Sequence, residues 1–127
     1  MNSLDTNIIL RFLLRDVPEQ TTRAVAVITG FNCYTTDVAV TETVFVLEKV
    51  YEASRDSIAL SLKTFLALPK LESNFNLRSD TLDMYRKHPK LSIIDCYLAV
   101  EADARRTQLV TFDKKLLLYA GPHVTEP

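Results

Sequence analysis

The chain has no tryptophan, only two glycines and only two cysteines. So few glycines exclude a collagen-like or glycine-rich low-complexity chain, and five prolines exclude long proline-rich linkers. Cys33 and Cys96 could pair only once, so this is not a disulfide-stapled scaffold. Both lie in apolar surroundings and read as two buried thiols. No apolar run exceeds five residues, which excludes a membrane-spanning helix. An export leader needs basic residues first and an unbroken apolar core after them; here Asp5 and Arg11 stand in the way, so the expected location is the cytoplasm. An excess of one charge is also lacking: 15 Lys+Arg face 16 Asp+Glu, a net charge of −1. Such a chain does not grip nucleic acid by bulk charge. If it acts on one, something else must hold it, and a divalent metal is a candidate.

What is present is an ordinary globular mixture, 47% hydrophobic and 24% charged over 127 residues. That length predicts one domain over residues 1–127, large enough to bury its own core. Short strand-like segments alternate with longer helical ones. Ser3-Leu4-Asp5 reads as a first strand and Ile8 to Leu14 as a buried helix with a basic edge. Asp16 and Pro18 open a helix over Glu19 to Thr29, which Gly30 stops. Cys33 to Thr36 reads as a second strand. Val38 to Ala53 reads as a helix with Val38, Thr41 or Glu42, Phe45 and Lys49 on one stripe. Asp56 to Leu68 is a further helix. Leu71 to Leu77 alternates and reads as a third strand, and Ser79 to His88 as a helix. Ser92 and Asp95 match a capping box for a helix reaching about Arg106. Leu109 to Phe112 is a fourth strand, Lys114 to Ala120 a short helix and His123 to Thr125 a fifth strand. Asp16, Asp37 and Asp56 read as helix caps. The alternation predicts an α/β fold, a central parallel sheet in the order 3-2-1-4-5 flanked by helices.

Four acids stand out by position. Asp5 ends the first strand, Glu42 lies early in the helix after the second, Asp95 is in the first turn of a helix and Asp113 follows the fourth strand. In an open parallel sheet, strand C-ends and the helix starts beyond them share one edge, where ligands bind. Each acid also has a plain role. An aspartate at a helix start satisfies orphan amides, and a helical glutamate is commonly a solvated side chain. Taken together, two carboxylates about 4 Å apart repel by roughly 4 kcal/mol at an effective dielectric near 20. A cluster of four would call for a hard cation such as Mg²⁺ or Mn²⁺, which prefers oxygen ligands.

Leu4-Asp5-Thr6-Asn7, Thr41-Glu42, Ser92-Ile93-Ile94-Asp95 and Thr111-Phe112-Asp113 resemble the four motifs of PIN-domain proteins, in order and over nearly the whole chain. A small single-domain chain of this kind looks most like a VapC-type toxin of a toxin–antitoxin pair. The resemblance implies a Mg²⁺- or Mn²⁺-dependent endoribonuclease, with Asp5, Glu42, Asp95 and Asp113 as catalytic and metal-holding acids. Thr6, Asn7 and Thr111 would support them by hydrogen bonds. Arg11, Lys114 and Lys115 lie near motif positions and are candidate RNA contacts, with solvated charge as their plain alternative. The implied partners are an RNA substrate, a cognate antitoxin and a second copy of the chain, with no membrane. Apolar helical stretches such as Val44 to Val50 are candidates for the homodimer contact. Many relatives carry another acid just after the position of Asp113. Here Lys114 and Lys115 follow, so a fifth ligand and a second metal do not follow from the resemblance.

Two other readings stand beside it. A receiver-type phosphoacceptor would want adjacent acids after its first strand and a lysine ending its last. Asp5 stands alone, and the last strand has no such lysine. A PIN-like module that binds RNA or protein without cutting would not need the acids. His88 and His123 read as surface or capping residues, and Cys96, although beside Asp95, as core.

Overall fold

The computed structural model describes residues 1–127 and divides them into two compact units, Met1–Phe75 and Asn76–Pro127. The first unit holds β1 (Asn2–Ser3), α1 (Thr6–Leu14), α2 (Pro18–Gly30), β2 (Cys33–Tyr34), α3 (Asp37–Lys49), α4 (Arg55–Leu66) and β3 (Leu71–Glu72). Its strands form a parallel sheet ordered β1-β2-β3. Asn2 pairs with Cys33, and Cys33 in turn with Leu71. Each parallel step needs a crossover, and each crossover is a helix pair: α1 with α2, then α3 with α4. The core of this unit is Ile9, Leu10, Ile28, Val40, Val44, Ile58, Leu62, Phe65 and their neighbours, all buried. Phe12 on α1 meets Phe65 on α4, ring centroids 5.6 Å apart at 55°, a tilted arrangement that suits the ring quadrupoles.

The second unit begins one residue into α5 (Phe75–Lys87) and continues with α6 (Ile93–Ala104), β4 (Leu109–Val110), α7 (Lys114–Tyr119) and β5 (Val124–Thr125). β4 and β5 are parallel, with Leu109 opposite Val124. Tyr85, Leu82, Leu91, Ile93, Cys96 and Ala99 are buried. Arg78 is buried too, and its Nε donates to the Tyr97 hydroxyl at 3.1 Å. Sequence reasoning gave no hint of that pair.

The α/β class and the parallel pairing agree with expectation. The runs 3-2-1 and 4-5 of the expected strand order are present, and the step from β1 to β4 belongs to neither sheet. Each strand is two residues long, shorter than the sequence pattern predicts. The largest correction is at Leu71–Leu77. Only Leu71–Glu72 is strand; Asn74 has φ 45°, which breaks the extended run, and α5 starts at Phe75. The caps expected of Asp16, Asp37 and Asp56 are made otherwise. Thr36 and Ser54 accept from the amides of Ala39 and Ser57, and the N-cap of α2 is Val17, which makes no side-chain cap bond. A hydroxyl one or two residues ahead of the aspartate reaches those amides first. The stripe expected on α3 is also displaced. Val38 is 77% exposed, and the packed side is Ala39, Val40, Thr43, Val44 and Leu47. Val44 and Leu47, expected to serve a homodimer, therefore sit in the chain's own core.

Candidate functional site

Parallel pairing sets the geometry of the first unit. β1 and β2 end at the same sheet edge, and α1 and α3 begin there. Asp5 is the N-cap of α1, extended at φ −74° and ψ 156°, and its Oδ1 accepts from the Thr6 amide at 2.8 Å. Its backbone carbonyl takes the Ile8 and Ile9 amides, the expected start of a helix. Glu42 lies in the second turn of α3, which packs against α1. Both carboxylates are exposed. Thr6 is buried and Asn7 is exposed. The bond between Thr6 and the Asp5 carboxylate comes from the Thr6 backbone amide, not its hydroxyl.

In the second unit α6 leads into β4 through four residues and packs against it. So short a link turns the chain back, and the first turn of α6 lies at the same end as the exit of β4. The capping box expected at Asp95 is formed in full. The Asp95 amide donates to Ser92 Oγ at 3.1 Å, and the Ser92 amide donates to Asp95 Oδ2 at 3.0 Å. Asp113 is the N-cap of α7, its Oδ1 accepting from the Lys115 and Leu116 amides at 2.8 and 3.4 Å. Thr111 Oγ1 accepts from the Asp113 backbone amide at 3.0 Å. Asp95 and Asp113 are half-buried.

The candidate basic residues are partly engaged. Arg11 is held by Asp16 at 2.9 Å and approaches the Tyr51 hydroxyl at 3.4 Å. It lines a cavity of about 440 Å³ between α1 and α2 together with Asn7, Ile8, Gln20, Arg23, Ala24 and Val27. Lys114 pairs with Glu126 at 3.4 Å, both well exposed, and Lys115 is exposed. His123 Nε2 bonds the Ala99 carbonyl at 2.8 Å. Cys33 and Cys96 are buried and not joined in a disulfide, as expected.

Sequence reasoning passed over one exposed side chain. Phe112 is 81% exposed between Thr111 and Asp113, and Val110, two residues before it, is 58% exposed. Thr111 and Asp113, on either side of Phe112, are half-buried.

Asp5 and Glu42 lie on elements of the first unit and Asp95 and Asp113 on elements of the second, and no group of three or more His, Cys, Asp or Glu is gathered to hold a metal ion. The donor chemistry fits a hard cation. All four candidates are carboxylates, and Asp5, Asp95 and Asp113 each cap a helix through one oxygen. A carboxylate has a second oxygen to offer. No helix is long and apolar enough to cross a membrane. The PIN domain family model matches residues 3–122 of the chain and so spans all four acids. No curated protein and no solved structure matches it.

Proposed function

The chain belongs to the PIN domain family, a nuclease-type fold, and from that premise we propose a Mg²⁺- or Mn²⁺-dependent endoribonuclease, the toxin of a VapBC-type pair. Its partners in this reading are single-stranded RNA, a cognate antitoxin that silences it and a second copy of itself. The observation that carries the reading is the family match over residues 3–122, inside which each motif acid stands at a strand exit or in an early helix turn.

Asp5, Glu42, Asp95 and Asp113 would hold the cation. When bound, such an ion supplies Lewis-acid activation of the scissile phosphate and of water. The chain's own residues do the positioning. The caps at Asp5, Asp95 and Asp113 fix three carboxylates through their helix amides, so each presents its second oxygen from a rigid element. Thr111 fixes the backbone that carries Asp113. No histidine pair is available to activate a 2′-hydroxyl. His123 is engaged by Ala99, and His88 lies at the end of α5.

The test is cleavage of a single-stranded RNA with and without chelator. Cleavage is expected to stop in EDTA, to return with Mg²⁺ or Mn²⁺ and to leave 5′-phosphate and 3′-hydroxyl ends. Full activity in excess EDTA, or 2′,3′-cyclic phosphate ends, overturns the mechanism. RNA binding with no cutting under any metal would establish the non-catalytic module instead.

A further inference from the structure

We propose that Phe112 is a stacking platform for a nucleobase of single-stranded RNA, with Lys114 and Lys115 taking the flanking phosphates. The proposal rests on the RNA reading above and deepens it by naming a residue that positions the strand.

Phe112 is the most exposed aromatic side chain of the chain, at 81%, against 58% for Phe31 and 42% for Tyr51. It is also the one that adjoins a candidate acid. Exposing a phenyl ring opposes the main driving force of folding, and a loose loop would let the ring turn inward. This backbone is not loose. The Thr111 amide donates to the Thr125 carbonyl at 2.9 Å on one side of Phe112. On the other side the Asp113 amide is tied to Thr111 Oγ1, and the Asp113 carboxylate to two amides of α7. The ring is therefore held out on a fixed support. Val110, the last residue of β4 and two residues before Phe112, is exposed as well.

The surroundings select the occupant. Two lysines follow Asp113, and the Lys114 side chain is 84% exposed, its contact with Glu126 being a solvated pair. Cations beside a bare aromatic ring suit a chain of π-faces joined by phosphates, which is single-stranded nucleic acid. A hydrophobic protein knob would draw on the ring and make no use of the two lysines. Other strongly exposed apolar residues, Val38, Leu60 and Leu118, are aliphatic and cannot stack on a base. A base on Phe112 also puts its own phosphodiester next to Asp113, where the proposed chemistry needs it.

The chain has no tryptophan, so Phe112→Trp installs a single fluorescent reporter at the platform. Titration uses a short mixed-sequence single-stranded RNA, at equilibrium in EDTA and by rapid mixing in Mg²⁺. Saturable quenching is expected, with little response to the same sequence as a duplex. Phe112→Ala and Phe112→Leu are each expected to weaken RNA binding about 5- to 150-fold, the range typical of one stacked base. Both should raise KM with kcat held within about twofold, since the ring binds without touching the reacting bond. Phe112→Tyr should retain wild-type KM. Leucine separates stacking from simple apolar contact, and matching thermal melts of the exposed variants confirm an intact fold.

Phe112→Ala and Phe112→Leu that bind RNA within twofold of wild type overturn the platform, and the nuclease reading stands if cleavage persists. Quenching and variant losses without any cleavage keep the platform and overturn the nuclease. A tryptophan at 112 whose emission ignores RNA overturns the proposal and leaves the surface to a protein partner. Losses that track a lowered melting temperature overturn it in favour of a structural role.

Discussion

Asp113 Oδ1 accepts from the Lys115 and Leu116 amides, so removing the carboxylate acts on α7 as well as on any cation it holds. The two roles separate by choice of substitution. Asp113→Ala loses the cap and is expected to cost about 1 kcal/mol, which lowers the melting temperature of a chain this size by about 3–5 °C. Asp113→Asn keeps an acceptor oxygen for the amides and should melt closer to wild type. Both should lose RNA cleavage by about 100-fold or more, because ligands to one ion act as a unit. Paired thermal melts and cleavage assays check this, and an asparagine variant with wild-type cleavage removes Asp113 from the site. The same dual use explains what could be read from the sequence at this scale. Ser92 and Asp95 announce a capping box by spacing alone, and both bonds are present. Asp16, at a similar position before α2, is drawn instead to Arg11. Local spacing records which amides are near; it does not record which distant guanidinium competes for the oxygen.

At the scale of elements, types were legible and lengths were not. The helices follow from apolar spacing and from proline or glycine stops, and they fall within a few residues of expectation. The strands shrink to two residues each, because strand length depends on which neighbour supplies hydrogen bonds, a non-local fact. Leu71–Leu77 shows why short alternation misleads. Leu71, Ser73, Phe75 and Leu77 alternate like a strand, yet Leu77, Arg78, Thr81, Leu82 and Tyr85 already carry the helical period that α5 uses. The end of α6 supports a prediction of its own. The Thr107 amide donates to the Ala102 carbonyl and the Arg106 amide to the Asp103 carbonyl, both at 2.9 Å, with Arg106 at φ 56°. That is a Schellman closure, whose left-handed position favours glycine. The left-handed conformation costs an L-residue roughly 1–2 kcal/mol, and glycine gives back about 0.5–1 kcal/mol through its freer unfolded chain. Arg106→Gly is therefore expected to stabilise by about 0.5–1 kcal/mol, and Arg106→Val to destabilise. Urea unfolding of both variants checks the sign.

For the whole molecule, a net charge of −1 offers RNA little general attraction, so cation binding has a stability signature worth separating from helix capping. The four acids were legible because each stands at a strand exit or in an early helix turn, which strand and helix order alone reveals. Whether they act together depends on a cation, and no local pattern records one. If they share an ion, wild type gains about 2.7 kcal/mol at a metal concentration 100 times the Kd. An Asp5→Asn variant that binds 100-fold more weakly gains only about 0.4 kcal/mol under the same conditions. Chelator supplies the second half of the test. Without metal, asparagine at position 5 relieves like-charge repulsion, about 1 kcal/mol for a pair at 4 Å in water and more at a lower dielectric. It keeps a side-chain oxygen to accept the Thr6 amide and loses a dipole contribution of about 0.3–1 kcal/mol. A shared site therefore predicts that Asp5→Asn melts at or above wild type in chelator and well below it in saturating Mg²⁺ or Mn²⁺. Independent caps predict the reverse pattern, a lower melting temperature in chelator with the metal response unchanged. Thermal melts of wild type, Asp5→Asn and Asp113→Asn in both conditions distinguish the two, and the crossing of the wild-type and variant curves between chelator and metal is the result that only a shared cation produces.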